Sequence, residues 1–118
     1  MKSARLMFVD KDFDGCASKA YYAAFHAVTA WFLLKARFFK KHSALEAAVH
    51  RDLVHAGLWG PELGRDYIYL MDRRGAGDYG RGGHVSDEDA DVALEAAARI
   101  IEAVHKLAPD EFPWPSGA

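Results

Sequence analysis

The sequence has a single cysteine, Cys16, and only four prolines, three of them among the last ten residues. One cysteine excludes an internal disulfide and fits a reducing, cytoplasmic environment, which is where we expect the protein. A lone cysteine of this kind is typical of a small core residue. The three late prolines predict a non-helical tail over residues 109–118.

A large excess of charge and a long hydrophobic run are also lacking. Fifteen basic and 17 acidic side chains give a net charge of −2, so nothing attracts the whole molecule to nucleic acid or to an anionic membrane. RNA binding would need a local basic patch. The uncharged segment 20–34 is too short to span a bilayer. We expect neither a secretory signal at the N-terminus nor a membrane partner.

The residues that are present describe one helical domain. Apolar residues make up 51 % of the 118, which suits a single globular domain over 1–118. No β-strand pattern, internal repeat or interdomain linker is visible. Predicted helices cover 2–10, 16–40, 43–57, 61–74 and 86–107. This number of helices with short connections predicts an all-α fold, an antiparallel up-and-down bundle of four to five helices.

Apolar spacing gives each predicted helix an inner face, and the long second helix has two adjacent apolar rows, typical of a central element. The Ser43 to Glu46 segment predicts a capping box, and Ser86 an N-cap. Glycine-rich residues 75–83 are predicted to end the fourth helix. The predicted inner residues are Leu6, Val9, Ala20, Tyr21, Ala24, Phe25, Ala27, Val28, Trp31, Phe32, Leu34, Phe38, Leu45, Val49, Leu53, Leu63, Tyr67, Leu70, Met71, Ala90, Leu94, Ala97, Ile101, Val104 and Leu107.

An acidic turn resembles the opening of a calcium-binding EF-hand loop. Asp10, Asp12 and Asp14 stand at alternate positions and a glycine follows. The loop requires a bidentate glutamate at its twelfth position, which here is Tyr21. We therefore interpret the turn as a helix breaker.

Two further patterns each miss a requirement of the site they resemble. Residues 75–80 spell GxGxxG, but a predicted helix precedes them where a dinucleotide site needs a strand. Glu102 and His105 form one Glu-x-x-His pair, whereas a di-iron bundle needs two. We predict neither a metal nor a cofactor.

Arg74 continues the inner face of the fourth helix, where a charged side chain needs a partner. Asp78, one turn later, is the near candidate. Two interpretations stay open: a partly buried ion pair that ends the helix, or a ligand-facing guanidinium suited to phosphate. Arg73 is predicted to face solvent and, with Arg81, to add positive charge nearby.

Residues 17–27, Ala-Ser-Lys-Ala-Tyr-Tyr-Ala-Ala-Phe-His-Ala, resemble the second-helix signature of the HEPN domain family. The resemblance covers nearly the whole chain. Later landmarks follow in the family's order: Lys41-His42-Ser43, Gly57-Leu58, Pro61-Glu62-Leu63-Gly64, Arg74-x-x-x-Asp78-Tyr79-Gly80 and residues 85–90. The resemblance implies a cytoplasmic prokaryotic bundle, commonly a homodimer, often paired with a minimal nucleotidyltransferase in a toxin–antitoxin system.

Active members of that family cleave RNA with an arginine followed, after four to six residues, by a histidine. Arg74 matches the arginine, but Tyr79 stands at the histidine's place and Gly75 replaces the usual polar residue. Arg37-x4-His42 and Arg99-x5-His105 have the same spacing elsewhere in the chain, so neither inherits the role.

We therefore predict a non-catalytic HEPN-like module that binds a nucleotide, RNA or a partner protein such as a nucleotidyltransferase. The candidate ligand-binding residues are Arg74, Asp78, Tyr79, Arg73, Tyr22 and His26. The alternative is a ribonuclease toxin in which Arg74 stabilises phosphate charge and Tyr79 or His84 assists proton transfer. A third reading makes Tyr79 the target of a nucleotidyltransferase.

The predicted first helix is shorter than is usual in the family. Either the helix is short or the chain's true start lies upstream. A short first helix would expose part of the aromatic core and favour a homodimer.

Overall fold

The computed structural model describes residues 1–79 and 85–111, with residues 75–79 described by their backbone. The elements are α1 (Lys2–Val9), α2 (Phe13–Leu34), α3 (His42–Ala48), a π-helical turn (Val49–Val54), α4 (Pro61–Tyr79) and α5 (Asp87–Leu107). No strand occurs in these ranges. The chain is an all-α bundle, which confirms the predicted fold class.

The centre of the bundle is α2, which packs most extensively on α5 and α4 and also on α1. Its inner side chains, including Tyr21, Val28 and Phe32, are completely buried, and each large one contributes about 1.5–3 kcal/mol to folding. The small residues Ala20 and Ala24 are buried among them and let neighbouring backbones approach. The predicted central helix is confirmed. No described helix has the length and apolarity to cross a membrane.

Both ends of α2 differ from the predicted bounds of 16–40. The helix begins after Asp12, whose carboxylate accepts a hydrogen bond from the amide three residues later at 3.0 Å. It ends at Leu34, and Ala36 then adopts a left-handed φ of 58°. Leu34 and Phe38 are therefore 50 % and 80 % exposed, so their predicted inward placement was wrong. Apolar spacing carries no signal of a left-handed residue.

The inner face of α1 was also predicted wrongly. Ala4 is the buried residue, with Met7 and Phe8 half-buried beside it. These three share a side of the helix because residues three and four apart are neighbours. Leu6 and Val9 lie on the other side and are 56 % and 75 % exposed.

The capping box predicted for the third helix does not form. α3 begins one residue earlier, at His42, and its N-cap is Lys41, which makes no side-chain cap bond. Ser43 is then already inside the helix, where its hydroxyl cannot cap it. The helical segment ends at Val54, earlier than the predicted end at Gly57. Gly57 lies in the turn that follows, with a φ of 85°, a conformation that favours glycine.

The residues predicted to point inward between Lys41 and Gly57 are buried although the helix changes type. Leu45 lies in α3, and Val49 and Leu53 lie in the π-helical turn. The wider turn still directs these side chains into the core, so the inward prediction is confirmed.

α4 begins at Pro61, as predicted, and buries Tyr67 on its inner face. The predicted end before Gly75 was wrong, because the helix continues through Gly75 and Gly77 to Tyr79. Each glycine costs a helix about 1 kcal/mol relative to alanine. The packing of α4 between α2 and α5 offsets such a weak local preference.

α5 begins with the predicted cap. The Ser86 hydroxyl accepts a hydrogen bond from the Asp89 amide at 3.0 Å. The buried face is rotated from the predicted one, so that Ile100 is buried whereas Ile101 and Leu94 are half-buried. The buried residues of α5 are Ala90, Ala93, Ala96, Ala97, Ile100 and Val104.

The two serines that the sequence marked as caps provide a matched test. We expect Ser86→Ala to lower the free energy of unfolding by about 1 kcal/mol, because an amide of the first turn loses its acceptor. Ser43→Ala, the control, should change it by less than about 0.5 kcal/mol. Urea denaturation followed by circular dichroism measures both, and equal losses would contradict the assignment.

Candidate nucleotide-binding face

Three helices bring aromatic and cationic side chains to one side of the bundle. α2 contributes Tyr21, Tyr22 and Phe25, α3 contributes its first residue, His42, and α4 contributes Arg74. Ring and guanidinium contacts join all five. We call these five residues the Arg74 face.

The guanidinium of Arg74 is positioned by two tyrosines. Its carbon Cζ lies 5.4 Å from the ring centre of Tyr21 and 5.5 Å from that of Tyr22, distances at which a cation is attracted to a ring face. Its Nη2 donates a hydrogen bond to the Tyr22 hydroxyl at 3.1 Å. Arg74 is half-buried and has further interactions besides these. The orientation of the guanidinium is therefore well determined.

His42 is held on two sides. Its Nδ1 shares a hydrogen bond of 2.7 Å with the Tyr21 hydroxyl. Its ring stacks on Phe25, with centres 4.5 Å apart and planes inclined by 8°. Because Nδ1 is occupied by Tyr21, Nε2 is the ring atom through which His42 can meet a ligand.

The surroundings keep His42 uncharged at neutral pH. Burial, and then the positive charge of Arg74, lowers the pKa of His42 below its ordinary value of 6.5. The neutral ring has one N–H donor and one acceptor nitrogen. Arg74 therefore carries the permanent positive charge of this face.

The two buried tyrosines, Tyr21 of the Arg74 face and Tyr67 beside it, stay protonated. Burial raises the pKa of Tyr21, although the nearby Tyr67 hydroxyl and Arg74 oppose the shift. Burial also raises the pKa of Tyr67. The Tyr21 hydroxyl can therefore either donate a hydrogen bond to His42 or accept one from it.

Two predicted ligand-binding residues of α2 lie at this face. Tyr22 contacts Arg74 directly, as described above. His26 is exposed, with its ring centre 6.2 Å from that of Tyr22 and 5.3 Å from that of Phe25. His26 thus extends the aromatic surface toward solvent.

Arg73 occupies a different environment from Arg74. It pairs with Asp72 and, at 3.3 Å, with Asp89 of α5, and it lies over the ring of Tyr69. The hydrogen bond with Asp72 raises the pKa of Arg73. The charge of Arg73 is thus compensated at the α4–α5 contact.

Several sequence candidates fall outside the described side chains. Asp78 and Tyr79 belong to the backbone of α4, but their side chains are not described, so the predicted Asp78–Arg74 pair lies outside the described residues. Arg81 and His84 also lie outside the described ranges.

The arginines of the two other Arg-to-His spacings are engaged with carboxylates. Arg37 pairs with Asp52 at 2.6 Å and lies over two phenylalanine rings. Arg99 binds Asp66 through two hydrogen bonds of 2.8 and 2.9 Å. Both arginines act as clamps between segments of the bundle.

The acidic turn and the Glu-x-x-His pair have structural contacts as well. Asp12 caps α2, and Asp14 accepts a hydrogen bond from the Val85 amide at 2.7 Å. Glu102 pairs with Lys106 at 3.4 Å. In the part of the chain that the structure describes, no group of histidine, cysteine and acidic residues is arranged to hold a metal.

His42 is the residue that sequence reasoning did not place at the site. It was noted only as a landmark after Lys41 and as the end of a spacing that begins at Arg37. Its family landmark, Lys41-His42-Ser43, was the available signal. A contact with Tyr21, 21 positions away, has no local pattern that could reveal it.

Removing the charge of Arg74 should change the titration of His42. We expect Arg74→Gln to raise the pKa of His42 while leaving it below 6.5, because burial, the larger cause of its shift, persists. NMR titration of the histidine rings measures the shift. Arg65→Gln, an exposed arginine on α4, is the control, and an unchanged or lowered pKa in Arg74→Gln would contradict the geometry.

The lowered pKa of His42 also predicts how stability depends on pH. The unfolded chain protonates His42 first, so the contribution of the neutral ring is complete above about pH 6.5 and decreases as pH falls toward the folded-state pKa. The difference in unfolding free energy between wild type and His42→Gln should therefore shrink on acidification. Urea denaturation at several pH values measures it, and a difference that grows would contradict the assignment.

The chain is similar to known proteins over most of its length. A family profile described as the HEPN domain matches residues 1–107. A UPF0332 protein of Thermotoga maritima is 31 % identical over 110 residues, covering 93 % of this chain and 83 % of that protein. A UPF0332 protein of Gloeobacter violaceus is 31 % identical over 103 residues, covering 86 % and 82 %. No solved structure matches the chain. The chain belongs to the HEPN domain family, and two of its signature residues, Tyr21 and Tyr22, are the ones that contact Arg74.

Proposed function

We propose that this HEPN chain is a non-catalytic binding module that holds a phosphate-bearing ligand, a nucleotide or single-stranded RNA, on the Arg74 face. The observation that carries the proposal is the guanidinium of Arg74, fixed over two tyrosine rings and donating to the Tyr22 hydroxyl at 3.1 Å. A planar guanidinium in a fixed orientation suits the oxygen atoms of a phosphate.

The aromatic side chains around Arg74 supply the second half of a nucleotide site. Tyr22 and Phe25 are half-buried and His26 is exposed, so part of each ring surface is open to solvent. Nucleic-acid bases stack on such rings, and each stacked base contributes about 1–3 kcal/mol without demanding a particular sequence. A single nucleotide can therefore place its phosphate at Arg74 and its base on these rings.

The non-catalytic part of the proposal follows from the altered motif. Tyr79 stands where active family members have a histidine. Among the described side chains, His42 of α3 contacts the same two tyrosine rings as Arg74, and its Nδ1 is engaged with the Tyr21 hydroxyl. This arrangement supports a role in ligand binding.

One observation favours ribonuclease activity as a second candidate. An uncharged histidine is a proton acceptor, and His42 contacts the same two tyrosine rings as Arg74. In this alternative, Arg74 stabilises phosphate charge while His42, or Tyr79 or His84 as the sequence suggested, moves a proton.

The family context extends the proposal beyond the ligand. We propose a cytoplasmic homodimer, paired with a nucleotidyltransferase in a toxin–antitoxin system, on the strength of the family resemblance alone. Size-exclusion chromatography with light scattering tests the dimer, and co-expression with a neighbouring nucleotidyltransferase gene tests the pair.

Binding to nucleotides and RNA tests the central claim. We expect Arg74→Ala to weaken binding of a fluorescent adenine nucleotide or a short single-stranded RNA by about tenfold or more, the effect of losing one charged hydrogen bond. Arg65→Ala, which removes an exposed arginine from α4, should stay within about twofold of wild type. Fluorescence anisotropy at two salt concentrations measures both.

The same samples separate the candidates. Equal binding by wild type and Arg74→Ala, or binding of neither ligand by wild type, contradicts the proposal and directs the search to a partner protein. If the protein cleaves labelled RNA, and cleavage disappears in Arg74→Ala but persists in Arg65→Ala, the ribonuclease alternative is correct and the non-catalytic proposal is wrong.

A further inference from the structure

The Arg74 face contains a proton site as well as a fixed charge. His42 and Arg74 flank the same pair of rings: the centre of Tyr21 lies 5.8 Å from that of His42 and 5.4 Å from Cζ of Arg74. The corresponding distances from Tyr22 are 6.1 and 5.5 Å. The two side chains thus share both rings as neighbours, and the charge of Arg74 reaches the imidazole.

The Tyr21 hydroxyl allows His42 to gain a proton without losing a hydrogen bond. In the neutral ring, one of the two groups donates across the 2.7 Å contact. In the protonated ring, Nδ1–H donates to the Tyr21 oxygen and Nε2–H is free to donate to a ligand. Protonation takes one proton from solvent and breaks no contact with Tyr21.

The groups around His42 determine which ligand favours that proton. Arg74 on α4 opposes protonation, and burial keeps the phenols of Tyr21 and Tyr67 protonated and neutral by raising their pKa. Glu46, one turn later in α3, is the described carboxylate whose charge reaches Tyr21. Lys41 precedes His42 in the chain, and His26 lies beyond Phe25.

We infer that the Arg74 face holds a phosphomonoester dianion, the terminal phosphate of a nucleotide or of an RNA end, and that His42 takes up one proton when it binds. This inference rests on the proposed function and names its ligand class. A dianion attracts a second cation, the protonated His42, more strongly than a monoanion does. A phosphodiester has a single negative charge, so its binding favours protonation of His42 less.

Calorimetry across pH tests the proton uptake. The monoester probe is adenosine 5′-monophosphate, and the diester probe is 3′,5′-cyclic adenosine monophosphate. Inorganic phosphate is the probe without a nucleoside. Wild type should bind the 5′-monophosphate up to about tenfold more tightly at about pH 7 than at about pH 8, a range in which the ligand itself stays a dianion, as expected for uptake of one proton per site. The cyclic diester should change by less than about twofold, and His42→Gln should remove the pH dependence for the monophosphate.

Controls separate a role of the ring from a loss of fold. His55→Gln changes an exposed histidine and should keep the wild-type pH dependence. If His42→Gln unfolds, NMR titration of wild type gives the answer, because the pKa of His42 should rise when the 5′-monophosphate binds. A short RNA with and without a 5′-phosphate shows whether the terminal phosphate comes from a nucleotide or from an RNA end.

The outcomes distinguish this inference from the proposed function. Arg74-dependent binding with the same pH dependence in wild type and His42→Gln overturns proton uptake and leaves the nucleotide site standing. Equal affinity for the monoester and the diester overturns the ligand class. Binding of none of the probes by wild type overturns the proposed function itself.

Discussion

The side chain of Tyr21 is completely buried, so its hydroxyl needs a hydrogen-bonding partner. A buried hydroxyl without one costs about 1–3 kcal/mol. His42 supplies the partner at 2.7 Å, and this contact fixes the start of α3 against α2 across the non-helical segment 37–41. The ring of Tyr21 also contacts α4, because the guanidinium of Arg74 lies over the face of the ring. The relative positions of three helices thus depend on one phenol.

This dependence joins the core to the candidate site. The same side chain is completely buried, orients His42 through its hydroxyl and attracts Arg74 through its ring. Phe25 supports the arrangement from the other side by stacking on His42 at 4.5 Å. The binding chemistry is therefore built on residues that also stabilise the fold, so a substitution at Tyr21 affects both.

The regular spacing of apolar residues made part of the fold and of the Arg74 face predictable from the sequence. The inner residues of α2 repeat at three and four positions, so the central helix and most of its core face followed from the pattern alone. Arg74 continues the inner face of α4 and was recognised for the same reason. Ser86 was a correct cap because a serine stood directly before an acidic first turn.

The rest depended on contacts between distant segments or on single backbone angles. The end of α2 depends on the left-handed φ of Ala36, which alanine rarely adopts. The continuation of α4 past Gly75 depends on packing that outweighs local preference. His42 reaches the site only because α3 docks against Tyr21, and its neighbours in the chain do not record that contact. The rotation of α5, which buries Ile100 in place of Ile101, likewise depends on how α5 packs against α2 and α4.

The hydrogen bond between Asp14 and the Val85 amide has a consequence for how the chain assembles. These residues are 71 positions apart, so the bond closes a loop that includes α2, α3 and α4. Forming so distant a contact early carries a large entropic cost, and local helices form much faster. The amide of Val85 is therefore protected only when the last helix has docked onto the first turn of α2. Its hydrogen exchange would report completion of the whole bundle rather than formation of any single helix.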